Sequence, residues 1–268
     1  QNIVHLLDNP NFELMRHDVV DPFKVEVDQI YNLACPASPV HYQYDPIKTV
    51  KTSVTGAINA LDLAKRVGAR ILQASTSEVY QTPNKIPTDE NETLKIPDIF
   101  NPRYSYGGGK ILTELMGVHY GKKYFKKLII FRPHNVYGPK MGYEHVIPQF
   151  ICRLKKLKGK KFKIQGNGNE TRSFIFIDDF VKAFDLILKK GKHLNIYNIG
   201  TDEKIKISKL AYIISKFFNR KIILHKNKIA KGSVKNRCPN ILKIKKIGFK
   251  RKHDLYSGIS KTVDWYKN

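Results

Sequence analysis

No glycine occurs before Gly56 in this 268-residue chain. The opening segment therefore holds no glycine-rich turn, through which backbone N–H groups at a helix start approach a phosphate. No run nears the roughly 18–20 apolar residues needed to cross a bilayer, and no secretory signal pattern opens the chain. The three cysteines, Cys35, Cys152 and Cys238, are scattered and lack metal-ligand spacing. No metal site is expected from them, and free thiols in a reducing cytoplasm fit best. Acidic residues are scarce: 23 Asp and Glu stand against 48 Lys and Arg, a net charge of +25. Hydrophobic residues make up 41%, so a sizeable core can form and intrinsic disorder is excluded.

The basic excess concentrates at residues 155–163 and 243–252. A nucleic-acid groove is one reading of such segments. No aromatic-interleaved motif or recognition-helix pattern accompanies these lysines, so they read as solvent faces, with no nucleic-acid partner expected. A positive field still draws in anionic substrates, a sugar diphosphate among them.

Residues 11–18 and 29–35 read as short strands, the second nearly all apolar and so expected to be buried on both faces. Asp45-Pro46 supplies an N-cap and an N1 proline for an amphipathic helix ending at Val67, with Gly68 as its stop. Strands are expected at 70–76 and 127–135, with a helix over 106–124 between them. Beyond Gly138-Pro139 come a helix over 145–157, a strand at 162–165, a helix capped by Asp178 or Asp179, a strand at 194–199 and two further helices. This alternation predicts an α/β fold, a Rossmann-like doubly wound parallel sheet with a smaller C-terminal lobe. The expected division is a dinucleotide-binding body of residues 1–139 with 173–200 and a substrate lobe of 140–172 with 201–268. Because the sequence begins at Gln1 without an early glycine, the first strand, its glycine loop and the second strand are expected upstream, about 30–40 residues in all.

Tyr106 and Lys110 stand four residues apart, on one face of a helix. An ammonium there is expected to favour the phenolate and to lower a tyrosine pKa of about 10. The helix follows a strand ending in Ser75-Thr76-Ser77-Glu78-Val79-Tyr80. Open α/β sheets place their chemistry at the C-terminal ends of such strands.

The ordered set S-T-S-E-V-Y, Y-x-x-x-K and R-P-x-N-x-Y-G-P (residues 132–139) resembles the extended short-chain dehydrogenase/reductases that act on nucleotide sugars. Residues 17–20, 29–44 and 63–80 are most similar to the UDP-glucuronic acid decarboxylases, also called UDP-xylose synthases. The resemblance implies NAD as cofactor, with Asp18 and Val19 on the adenine side, Leu33 lining it and Lys51 and Thr52 beside it. It implies a catalytic set of Thr76, Glu78, Tyr106, Lys110 and Arg172, and substrate contacts from Asn59, Asn135, Arg172 and Arg237. Thr76, Tyr106 and Lys110 also face the cofactor in this family. The implied reaction oxidises the sugar at C4 and uses the 4-ketone as electron sink for decarboxylation, with Glu78 assisting protonation. A homodimer built on residues 49–67 and 104–124 is implied as well. Departures are the three glycines between Tyr106 and Lys110, Gln81 and Ser53 at usual glycine and asparagine positions, and His134. They keep open a nucleotide-sugar 4,6-dehydratase or C4-epimerase, which begin with the same oxidation. A non-catalytic binding protein is a further alternative, which the intact Tyr106/Lys110 pair disfavours.

Without a phosphate loop, residues 1–268 lose at least two charge-assisted hydrogen bonds to the pyrophosphate. At about 1.5–3 kcal/mol each, NAD affinity is expected to fall by roughly two to four orders of magnitude. Calorimetry of this chain should give a dissociation constant well above the micromolar range; a micromolar value would mean that the cofactor is held in another way.

Overall fold

The computed structural model describes residues 2–225, 227 and 232–267. Residues 11–18 form no strand and lie exposed. The first strand is β1 (Gln29–Asn32), followed by helices α1 (Pro39–Tyr44) and α2 (Pro46–Val67). Helix α2 has the signals expected of it: Asp45 Oδ1 accepts the Lys48 N–H at 2.8 Å, and Gly68 ends it at φ 69°. A left-handed residue at that position costs glycine little.

Next come β2 (Arg70–Ala74), a 3-10 turn over Ser77–Tyr80, α3 (Tyr104–Tyr124), β3 (Leu128–Pro133) and β4 (Val136–Tyr137). They are followed by α4 (Val146–Lys155), β5 (Lys161–Lys163), β6 (Thr171–Arg172), β7 (Ile175–Phe176), α5 (Ile177–Lys190) and β8 (Asn195–Ile199). The chain continues through β9 (Ile205–Lys206), α6 (Ile207–Lys216), β10 (Ile223–His225), α7 (Leu242–Lys246) and α8 (Leu255–Lys267).

Strands β1, β2, β3 and β8 form one sheet in that order, every pair parallel, as the alternation of apolar strands and helices predicts. Helices α2 and α3 cover one face, where Leu61 and Ala64 pack with Ile71, Leu128 and Ile130. On the other face Ala183 and Ile187 of α5 and Ile244 of α7 pack with Leu72, Ile129 and Phe131. The sheet is thus wound on both sides. A separate core joins α4, α6 and α8 through Ile151, Leu154, Leu210, Ile214, Ile259 and Val263.

Strand β1 is not buried on both faces. It ends the sheet, and Tyr31 and Leu33 are 44% and 58% exposed. A strand side chain is buried only where another element packs on its own face of the sheet. Neither Asp178 nor Asp179 caps α5, which starts from Phe176 with no side-chain cap. Instead the buried Asp179 carboxylate accepts the N–H groups of Lys252 and His253, both at 2.8 Å. It pins the start of α5 to the segment that leads into α8. No described helix is long and apolar enough to cross a membrane, and no cluster of metal-ligating side chains occurs among the described residues.

Asp179→Ala strands two backbone donors, one for each bond to Lys252 and His253. Each is worth about 1–3 kcal/mol, so a stability loss of roughly 2–6 kcal/mol is expected. Urea unfolding followed by circular dichroism measures it, and a loss below about 1 kcal/mol would show that this joint matters little.

Candidate active site

Strands β2 and β3 end side by side. Beyond them Thr76, Glu78 and Asn135 line a cavity of about 250 Å³ together with Tyr42, Tyr106 and Arg237. The turn after β2 is self-capped, with the Glu78 N–H donating to Thr76 Oγ1 at 3.2 Å. Asn135 sits at φ 37°, a left-handed value that asparagine tolerates, and its Nδ2 donates to the Ser173 carbonyl at 2.8 Å.

Tyr106 comes from the first turn of α3 and is 8% exposed. Its ring stacks on Tyr42, centroids 5.2 Å apart and planes 8° from parallel. Lys110 follows one turn later, and its buried Nζ donates to the Ala74 carbonyl at 3.0 Å. This bond ties the helix to the end of β2. The expected lowering of the Tyr106 pKa by Lys110 does not occur. Burial pushes the phenol above its usual range; the Thr76 hydroxyl works the other way, and Cys35, Glu78 and Tyr42 add to the rise. The ammonium itself is held below its ordinary value, chiefly by burial. Desolvation disfavours the charged form of both groups.

Glu78 forms a two-point ion pair with Arg237, at 2.7 and 3.0 Å. Burial alone would raise its pKa, but Arg237 first, then Arg103 and Arg172, hold the carboxyl at about 2. An ionised carboxylate in that grip has no proton to give at neutral pH, so in this arrangement it does not assist protonation. Arg172 donates to the carbonyls of Thr171 and Lys235, at 2.8 and 3.3 Å. Burial and then Arg237 bring its pKa down to about 10.

Arg103 carried no sequence signal, because one more arginine gives no contrast in so basic a chain. It stands three residues before Tyr106, beside Glu78, Tyr42 and Arg172, and its buried Nε has no partner. The Nε of Arg237 is likewise buried without a partner. Three guanidinium groups thus share one carboxylate. Tyr42 was missed too, since only the fold stacks it on Tyr106.

The cofactor-side residues lie elsewhere, along β1 and α2. Asp18 Oδ1 accepts the Val20 N–H, and Val19 packs so closely on Gly56 that a Cβ there would meet its Cγ2 at 2.8 Å. Asn59, expected at the substrate, donates its Nδ2 to the Val19 carbonyl at 2.9 Å and does not line the cavity described above. Leu33 and Lys51 are exposed and Thr52 is buried. For a dinucleotide, the fit is good at the two ends. Thr76, Tyr106 and Lys110 cluster at the end of β2, and Ser38 Oγ is buried without a partner between Ala37 and Pro39, which line the cavity. Asp18, Val19 and Thr52 flank α2, while residues 1–55 offer no glycine for the pyrophosphate between these ends.

The departures from the family pattern compensate each other. A Cβ on Gly107 would lie 2.9 Å from Gln81 Nε2, so the glycine makes room for the bulkier residue at 81. Gln81 Nε2 in turn donates to the Glu78 carbonyl at 2.5 Å. His134 is buried against Asn198, and burial followed by Arg237 pushes its pKa down to about 3, so it is neutral.

The profile of the family described as "NAD dependent epimerase/dehydratase family" matches residues 6–200. The chain belongs to this family. UDP-glucuronic acid decarboxylase 1 of Arabidopsis thaliana is 36% identical over 271 residues, covering 100% of this chain and 61% of the relative. UDP-glucuronic acid decarboxylase 4 of the same plant is 39% identical over 264 residues, covering 97% and 58%. The chain therefore spans about three fifths of the length of these curated relatives. Among solved structures, the UDP-glucose 4-epimerase of Thermotoga maritima with UDP-glucose superposes with a TM-score of 0.81 at 25% identity, covering 90% of this chain and 77% of that one. A dTDP-glucose 4,6-dehydratase of Streptomyces venezuelae with NAD and TYD bound gives 0.88 at 23% identity over 98% and 82%, a likeness of fold.

The Glu78–Arg237 pair predicts an acid limb of stability in this family member. A carboxyl lowered from 4.5 to about 2 stabilises the fold above pH 4.5, and that contribution is lost as pH falls through 2. It amounts to about 3 kcal/mol. Urea unfolding of native protein and Glu78→Gln should differ by about this much at pH 7, by less than half of it near pH 3, and converge only below about pH 2. A pH-independent difference would remove the ion pair as the cause.

Proposed function

We propose that the protein oxidises a nucleotide sugar at C4 with NAD and converts UDP-glucuronate to UDP-xylose. The observation that carries this reading is the guanidinium surplus beside the buried Tyr106. Arg103, Arg172 and Arg237 face one carboxylate, Glu78, and two of them keep buried donors without partners. A buried positive site of that kind requires an anionic ligand, and a diphosphate together with a sugar carboxylate satisfies it.

Tyr106 is the base for the C4 hydroxyl proton, with Thr76 sharing the hydrogen bond. Burial favours its neutral phenol, so it acts once bound substrate and the positive charge that NAD would bring stabilise the phenolate. Lys110 holds the helix against the end of β2 through its bond to the Ala74 carbonyl. Thr76, Tyr106, Lys110 and the Asp18–Val19 side would hold NAD, which would supply the acceptor and donor of the C4 hydride. The 4-ketone lies β to the C5 carboxylate and receives the electron pair released as carbon dioxide leaves. The enolate so formed takes a proton from water at C5, which restores the ketone before hydride returns to C4. Arg172, held by two carbonyls and short of an acidic partner of its own, neutralises that carboxylate; Arg237 moves from Glu78 to the diphosphate. Asn135 orients the sugar at the cavity wall.

Residues 1–139 with 173–200 form the body in this reading, and 140–172 with 201–268 the lobe that carries Arg172 and Arg237 to it. A homodimer through α2 and α3 is supported by the exposed apolar side chains Ile47, Leu112 and Leu115 on those helices. The three free cysteines agree with a cytoplasmic setting.

The test offers the protein UDP-glucuronate, UDP-glucose and GDP-mannose in parallel. Arg172→Ala should reduce turnover of UDP-glucuronate by tenfold to a hundredfold more than turnover of any neutral sugar, the worth of one charge-assisted hydrogen bond. Turnover of a neutral sugar alone would assign a dehydratase or epimerase reaction instead.

A further inference from the structure

The basic run at residues 153–163 takes no part in the cleft, yet it lines two adjoining surface cavities of about 810 and 460 Å³ that share Cys152 and Lys156. Helix α4 divides them from the active site: its start, Val146 and Ile147, faces the catalytic cavity, and its end faces the trough. The run holds seven Lys and Arg, and residues 145–169 contain no Asp or Glu. Among the described residues, Lys156, Lys158, Lys161 and Lys163 form no ion pair, whereas Lys155 Nζ donates to the Lys267 carbonyl at 2.6 Å.

Aromatic rings stand in the same trough, supplied from distant parts of the chain. Tyr143 and Trp265, 62% and 40% exposed, both pack edge-on against Tyr266, at 5.5 and 4.5 Å between centroids. The guanidinium of Arg153 lies 4.5 Å above the Phe162 ring, which presents a charge held flat against the surface. Glu144 and Asp264 adjoin Tyr143 and Trp265 in sequence, and Glu144 interacts with His41 at 3.7 Å.

We infer that this trough binds single-stranded nucleic acid. Exposed ring faces stack on bases, and lysines spaced along one groove follow a phosphate backbone. The sequence alone argued against such a site because no aromatic residue punctuates the lysines in the pattern of an RNA motif. The fold removes that objection by bringing Tyr143 and α8 to the end of α4. A free mononucleotide would leave most of the charge unused, so the extended polymer fits better.

The test measures fluorescence anisotropy of a labelled 20-nucleotide single strand, with heparin and phosphatidylserine vesicles as comparison ligands. Neutralising four to six phosphates predicts an affinity that falls roughly 50- to 300-fold between 50 and 200 mM salt. Trp265→Ala should weaken binding about tenfold or more. Lys156→Glu with Lys158→Glu and Lys161→Glu should cut the salt exponent by about 2. Circular dichroism verifies that each variant is folded, and a triple charge reversal at Lys243, Lys245 and Lys250 controls for diffuse charge. The inference is overturned if heparin binds as tightly and Trp265→Ala changes nothing, if vesicles are preferred, or if the control reversal weakens binding equally.

Discussion

The buried pair of Arg132 and Glu114 holds the catalytic wall together. Arg132 belongs to β3 and is 2% exposed, and its Nε and one terminal nitrogen meet the two carboxylate oxygens of Glu114 on α3 at 2.8 and 2.5 Å. The other terminal nitrogen donates to Tyr80 Oη and to the Glu90 carbonyl, at 2.7 and 2.9 Å. Ser75 Oγ donates to Glu114 as well, and the Tyr80 hydroxyl donates to Asn198 Oδ1 on β8. One guanidinium therefore ties together the end of β2, the turn after it, α3, β3 and β8. Removing one partner of a buried pair costs about 3–5 kcal/mol, because the other charge is left without compensation. Glu114 lies about two helical turns beyond Tyr106 on the same face, so this anchor also sets where the phenol stands.

Positive charge serves two purposes in this molecule, and solvent decides which. Arg237 is buried and Arg103 and Arg172 are half-buried, so their pull on Glu78 is strong and shows in its displaced pKa, and Arg237 in turn lowers that of Arg172. They leave the site with more positive than negative charge. The lysines of the trough remain in water, where salt screens them beyond about 10 Å. Such charges gather weakly and over a length, which suits a polymer rather than a small substrate.

The compensating residues around the Tyr106 helix show how a family pattern is altered without loss of the site. Gly107 is small because Gln81 is large, and the pair sits directly behind Glu78. Read one position at a time, each looks like a defect in a motif. Read as a contact, they are one substitution shared between two segments.

Short-range chemistry was legible in the sequence: the Asp45 cap and Gly68 stop of α2, the alternation that makes a parallel sheet, and the order of the Thr76, Tyr106 and Lys110 motifs. These depend on spacing of a few residues along one chain, and local backbone geometry enforces them. The exposure of β1, the diversion of Asp179 from capping to a distant joint, and the placement of Asn59 beside Val19 were decided by the fold. So were the Tyr42 stack, the role of Arg103 and the ionised state of Glu78. Each depends on groups far apart in sequence meeting where water is excluded. A pattern of residue types cannot supply that, because desolvation and neighbouring charge belong to a place in space and not to a position in the chain.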